Sequence, residues 1–255
     1  MSDKEKTMSS PCDGRALEKR LRRRFADGVR EFSLIEPGDH LLLGLSGGKD
    51  SMALLELLGD AKRRAGGRFE VSALHVRMDN VDYQSDTSYL ERQAEVSGVR
   101  LYVKTASFEP DRNERRSPCF LCSWTRRKVL FSTAQELGCN KIALGHHQDD
   151  MLLTALMNLT YSGSFSTMPA SLTMRKFPVC IIRPLCKVHE EDLREWAEYR
   201  GFRPLVKACP FEKASNRTAV RQLFDAMEAL NPEARYSLWH ALVKENKIVE
   251  RPAEE

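Results

Sequence analysis

Six consecutive residues, Ser46-Gly47-Gly48-Lys49-Asp50-Ser51, combine two glycines, a lysine, a carboxylate and two hydroxyls. The glycines let the backbone turn tightly and bring its N–H groups close to an anion. Lys49 adds a mobile positive charge, and Ser46 and Ser51 add hydroxyl donors. Together they form a phosphate cradle, so the chain is expected to bind a nucleotide. The pattern is not a Walker loop, which needs a glycine five residues before the glycine of its Gly-Lys pair and a hydroxyl after the lysine. Leu43 and Asp50 hold those positions here. A carboxylate beside phosphate repels it unless a divalent cation lies between them, which puts Asp50 on the magnesium side.

A second cluster, Gly145-His146-His147-Gln148-Asp149-Asp150, gathers two imidazoles and two carboxylates. Such groups can hold a magnesium–triphosphate and orient a reacting oxygen. Zinc is the rival ligand for His and Asp, but vicinal histidines point in different directions and no Cys or His follows at helical spacing. In Cys119-Phe120-Leu121-Cys122 two thiolates can reach one metal or cluster. The pair alone also fits a redox couple or half of a zinc site. Cys209, in Ala208-Cys209-Pro210, offers a third thiolate. Three thiolates leave one iron of a 4Fe–4S cluster open to sulfide or substrate. Arg126, about one turn beyond Cys122, suits an ATP or RNA phosphate.

These groups need a scaffold that brings strand ends together. The apolar run Leu41–Leu45 reads as a central strand that feeds the glycine turn and a helix over Ser51–Ala65. Further strands are expected at Glu70–Val76, Leu101–Lys104, Lys141–Leu144 and Val179–Ile182. Helices are expected at Ala16–Phe32, Asp86–Ser97, Arg126–Leu137, Met151–Leu159 and Glu190–Arg200. This alternation predicts an α/β fold, a doubly wound and mostly parallel sheet with helices on both faces. Ligands bind such sheets at the carboxyl ends of the strands, where both glycine-led clusters fall. The expected organisation is a disordered arm over 1–15, a nucleotide-binding domain over 16–225 with an inserted cysteine-bearing segment, and a helical tail over 226–255. Residues 105–118 read as a long polar loop, and Trp239 and His240 as packing residues of the tail.

The net charge is +4, but its distribution says more. Lys19, Arg20, Arg22, Arg23 and Arg24 form one basic cluster, and Arg112, Arg115, Arg116, Arg126, Arg127 and Lys128 form another around the cysteine pair. Such clusters suit RNA, although on a helix they also serve as a solvated face. No apolar run is long enough for a bilayer, and Met1–Arg24 lacks the apolar core of a signal peptide. A cytoplasmic location without membrane partners is expected. Seven cysteines, an odd number, argue against a disulfide framework. Cys12, Cys139, Cys180 and Cys186 stand alone, and Cys139 and Cys180 read as buried thiols.

Ser-Gly-Gly-Lys-Asp-Ser after an apolar strand resembles the signature of the PP-loop, or N-type, ATP pyrophosphatases, whose fold is the adenine nucleotide alpha-hydrolase-like sheet. Four further segments resemble the tRNA 2-thiocytidine synthetases within that group: Lys19–Arg23, Pro118-Cys119-x-x-Cys122 with Arg126-Arg127, Lys141–Asp150, and Ile182-Arg183-Pro184-Leu185. The resemblance spans residues 16–225 and implies ATP, magnesium and a 4Fe–4S cluster as cofactors. It implies adenylation of the C2 oxygen of cytidine 32 in tRNA, followed by displacement of AMP by sulfur. Ser46, Gly47, Gly48, Lys49 and Ser51 would bind phosphates, with Gly145 and His146 completing the nucleotide site. Asp50 with Asp149 or Asp150 would serve magnesium, Arg126 a phosphate, and Cys119, Cys122 and Cys209 the cluster. Asp79 matches an acidic position near the nucleotide. The implied partners are tRNA, a sulfur donor such as a cysteine desulfurase, and a second copy in a homodimer. Glu212 stands where the family often has a further cysteine, and the segment from Asp79 to Cys119 matches poorly. Lysidine-forming and 2-thiouridine-forming relatives, and a nucleotide-binding protein without turnover, are the competing readings.

Overall fold

The computed structural model describes residues 11–79, 86–109, 117–174, 177–203 and 216–250, with side chains from residue 14 onward. In chain order the elements are α1 (Pro11–Glu31), β1 (His40–Gly44), α2 (Lys49–Arg64), β2 (Glu70–Met78), α3 (Thr87–Val96), β3 (Arg100–Ala106), α4 (Pro118–Glu136), β4 (Lys141–Ala143) and α5 (Gln148–Ser162). They continue with β5 (Ser171–Thr173), β6 (Cys180–Ile182), α6 (Glu190–Arg200), α7 (Asn216–Leu230), α8 (Ala234–Lys244) and β7 (Val249–Glu250).

Leu41, Leu42 and Leu43 are fully buried, which requires cover on both faces of β1. Alternation sends them to opposite sides. Leu41 and Leu43 join a large core with Leu54, Leu58, Met151, Leu152 and Leu185, while Leu42 joins a smaller one with Leu74, Ala134, Ile142 and Val179. The first core lies under α1, α2, α5 and α6, and the second under α4. The strand order is β3-β2-β1-β4-β6-β5-β7. β3, β2, β1, β4 and β6 run parallel, β5 is antiparallel to β6, and β7 is parallel to β5. The expected doubly wound, mostly parallel sheet is therefore present, with its order reversing between β1 and β4.

The largest departure concerns the cysteine segment. Only residues from Arg126 onward were expected to be helical, with a polar loop before them. α4 instead begins at Pro118. Ser117 caps it, its hydroxyl accepting the Phe120 N–H, and Pro118 occupies the first turn, where no amide donor is needed. Residues 105 and 106 belong to β3, which shortens the loop from its other end. At the N-terminus the helix starts at Pro11 rather than Ala16. The rest of the expected N-terminal arm, residues 1–10, lies outside the described residues. α7 runs across positions 225 and 226, where the tail was expected to start.

Candidate active site

In a doubly wound sheet the ligand crevice opens where the strand order reverses, here between the ends of β1 and β4. The segment after β1 turns through Gly47, whose φ of +83° lies in the region that favours glycine. Ser51 Oγ donates to the Gly48 carbonyl at 2.9 Å and accepts the Gly47 N–H at 3.1 Å. Ser46 Oγ lies 3.1 Å from Ser51 Oγ and accepts the Gly48 N–H at 3.3 Å. The two hydroxyls thus shape the loop from within. α2 starts immediately afterwards, with Gly48 as N-cap and no side chain capping its first turn. Its leading N–H groups and the positive end of its dipole point into the crevice mouth.

The loop after β4 meets this cradle directly. A Cβ built on Gly145 would lie 3.1 Å from Ser51 N and 3.2 Å from the Asp50 carbonyl carbon. The absence of a side chain at 145 lets the two loops approach closely. Lys49 Nζ lies 2.9 Å from Asp50 Oδ1 and 3.6 Å from Glu190 Oε1. Despite that ion pair, Asp50 Oδ1 is buried and makes no hydrogen bond of regular geometry. A carboxylate oxygen in that condition fits a cation. His146 has a buried Nδ1 without a hydrogen-bond partner. Burial, reinforced by Arg183 and opposed by Asp150, pushes its pKa down to about 4, so it is neutral at neutral pH.

Asp149 and Asp150 are adjacent but face different partners. Asp149 is buried. Its carboxylate accepts the Glu190 N–H at 2.8 Å, Arg221 Nη1 at 3.1 Å and Arg235 Nη2 at 2.9 Å. Burial alone would raise its pKa. Hydrogen bonds with His147 and Arg235 overcome that and hold it well below the usual carboxylate range. Asp150 accepts the His147 N–H at 3.0 Å, closing the start of α5, and pairs with Arg217. Arg221 also pairs with Glu190, so a chain of charges runs from Lys49 through Glu190 and Arg221 to Asp149 and Arg235. Sequence reading missed Glu190, Arg217, Arg221 and Arg235. The only available signals were the acidic first turn of α6 and the four-residue spacing of Arg217 and Arg221.

α4 carries the remaining groups. Cys119, Cys122 and Arg126 are spaced three and four residues apart, so they share one face and rise about 10 Å along the axis. Cys119 is exposed, and Cys122 and Arg126 are half-buried. Arg126 acts on His75, whose pKa is lowered by burial against the opposing Leu45 hydrogen bond, with Arg126 and Arg77 adding to the decrease. His75 Nδ1 lies 2.8 Å from the carbonyl of Leu45, the residue that precedes the loop. Arg126 is thereby close enough to His75 of β2 for its charge to be felt there. Arg183, from the Ile-Arg-Pro-Leu segment, is buried and donates to the Pro169 carbonyl.

Cys209 and Glu212 lie outside the described residues. Among the described residues no group of three or more His, Cys, Asp or Glu side chains converges into a metal site. Two thiols on one helical face nevertheless suit shared coordination, and a third ligand would come from elsewhere. Cys139 and Cys186 are buried, and burial pushes their thiols up to about 11 and about 12. Cys180 is half-buried, 3.3 Å from Ser171 Oγ. Asp79 follows β2 and is exposed.

The N-terminal basic cluster is largely spent on packing. Arg20 and Arg24 pair with Asp192 of α6, and Arg22 pairs with Glu18 and Asp60. Three of the five cations expected to meet RNA therefore hold α1 against its neighbours. Of the second cluster, Arg127 and Lys128 are exposed, and Arg112, Arg115 and Arg116 lie outside the described residues.

A reversed parallel sheet with this glycine loop and a touching second loop defines a PP-loop protein, and the PP-loop domain family matches residues 17–227. The tRNA-cytidine(32) 2-sulfurtransferase of Delftia acidovorans is 34% identical, over 89% of this chain and 73% of that protein. The enzyme of the same name from Aeromonas salmonicida is 38% identical, over 81% of this chain and 70% of that protein. The chain belongs to the tRNA-cytidine(32) 2-sulfurtransferase family. A U34-tRNA thiolase from Methanococcus maripaludis, solved with its 4Fe–4S cluster, superposes with a TM-score of 0.73 and 24% identity, over 93% of this chain and 81% of that one. That likeness concerns the fold. Among the described residues no helix is long and apolar enough to cross a membrane.

Proposed function

We propose that this protein is a cytoplasmic, ATP-dependent sulfurtransferase that converts a cytidine of tRNA, at position 32, to 2-thiocytidine. The observation that supports the reading is the sharing of one face of α4 by Cys119, Cys122 and Arg126, in a PP-loop chain whose relatives are named for this reaction.

Gly47, Gly48 and the open amides of the first turn of α2 bind the ATP phosphates, and Lys49 leaves Asp50 and Glu190 to join them. Asp50, with Asp150, would hold magnesium, which when bound neutralises charge on the pyrophosphate. Arg126 binds the α-phosphate. The C2 oxygen of the base attacks that phosphorus, its bond to oxygen forms, and pyrophosphate leaves. The oxygen is then part of AMP, a good leaving group, and a sulfur nucleophile displaces it as the C2–S bond replaces the C2–O bond. Cys119 and Cys122, with Cys209, would hold the 4Fe–4S cluster, which supplies an iron open to sulfide. Asp149 is read here as a positioning residue, because arginines of α7 and α8 occupy its carboxylate. Sulfur comes from a donor such as a cysteine desulfurase, and the enzyme works as a homodimer, which light scattering tests.

Mass spectrometry of tRNA nucleosides from a strain lacking the gene tests the reaction. Loss of 2-thiocytidine is expected, and an unchanged profile overturns the reading. Protein purified without oxygen is expected to absorb in the visible. Colourless protein with full thiolating activity rules out the cluster.

A further inference from the structure

Away from the cysteine face, α4 presents a second stripe. Phe120, Trp124 and Arg127 are spaced four and three residues apart, so they line up on the helix. At 3.6 residues per turn this stripe lies about 130° round the helix from Cys119, Cys122 and Arg126, with Arg127 and Lys128 on either side of its rings. Phe120 is 48% and Trp124 56% exposed. Their rings are nearly parallel, at 8°, with centroids 6.5 Å apart. Exposed apolar rings cost solvation, and two parallel ones suit a flat ligand. The surroundings say which ligand. From Ser117 to Gln135 there is no acidic residue, whereas Arg126, Arg127 and Lys128 follow the rings directly.

We propose that Phe120 and Trp124 form a stacking platform for an unpaired base of the RNA substrate, next to the nucleotide that is modified. The inference rests on the reading of this site as one that acts on RNA. Stacking on aromatic rings accepts any base, and neighbouring cations hold the phosphates on either side. A platform on the same helix as Cys119 and Arg126, about 130° round it, would hold the strand while the target base enters the crevice. A docking face for the sulfur-donor protein is less suited to this stripe, because its cations and parallel rings match phosphates and bases.

Intrinsic fluorescence gives a direct test. Trp196 and Trp239 are 8% and 7% exposed, so an RNA that quenches tryptophan emission does so mainly at Trp124. Adding unmodified tRNA transcript to the full-length protein is expected to quench emission. Trp124→Phe removes the quenching and keeps tRNA affinity, because the stack is retained. Phe120→Ala with Trp124→Ala weakens tRNA binding by about fivefold or more and leaves ATP binding intact. Unchanged tRNA affinity and thiolation in the double variant overturn the platform while leaving the proposed reaction standing. Unchanged RNA binding with failed transfer from the donor protein assigns the stripe to that protein and overturns it too. If the wild-type protein neither binds tRNA nor forms 2-thiocytidine, the proposed reaction falls, and the platform with it.

Discussion

Gly145 shows how narrowly single atoms limit this site. An added Cβ would sit 3.1 Å from Ser51 N, tighter than ordinary contact, so the facing backbone would have to give by a few tenths of an ångström. Gly145→Ala is therefore expected to push the two loops apart and weaken ATP binding about tenfold or more, measured by calorimetry. Visible absorbance from the α4 cysteines should not change. Asp50→Ala is expected to reduce AMP and pyrophosphate formation by about a hundredfold or more while the absorbance persists. Cys122→Ala should do the reverse, losing absorbance and keeping ATP binding. At this scale the sequence was informative, because glycine, lysine and cysteine spacing reflects local geometry. It could not show that Asp149 and Asp150 diverge, because their partners at 217, 221 and 235 are remote along the chain.

Among the elements, those with long periodic patterns were legible, and α6 was read to its ends. β5 and β7 have three and two residues, too few to show an alternation. The start of α4 was missed because a basic, polar stretch precedes it, although Ser117-Pro118 is a helix-start signal. α7 and α8 matter more than a tail would, because their arginines occupy a buried carboxylate. Removing one of these arginines leaves the buried carboxylate with fewer donors. Arg235→Ala is expected to lower stability by about 2 kcal/mol, read from urea unfolding. It should also lower ATP affinity, since Asp149 stands at the start of α5 beside Gly145.

Over the whole molecule, several buried ionisable groups resist acid unequally. His189 is pushed down to about 4 from 6.5, mainly by burial and then by Arg24 and Arg235, with Asp149 and Asp192 opposing. Between those values the unfolded chain binds a proton that the folded chain does not, so stability falls as pH falls through that window. Urea midpoints at about pH 7 and about pH 5 are expected to differ, and His189→Gln should narrow the difference. The parallel sheet and the strand ends that carry the site followed from the alternation of strands and helices, whereas the strand order and the charges that close the crevice depend on the complete fold. Asp149 and Arg235 are 86 residues apart. At about 5–20 residues per second of synthesis, the carboxylate waits roughly 4 to 17 seconds for that partner. A nascent chain can form its phosphate loop early, yet its acidic loop is fixed only once α8 has been made, so the two halves of the site mature one after the other.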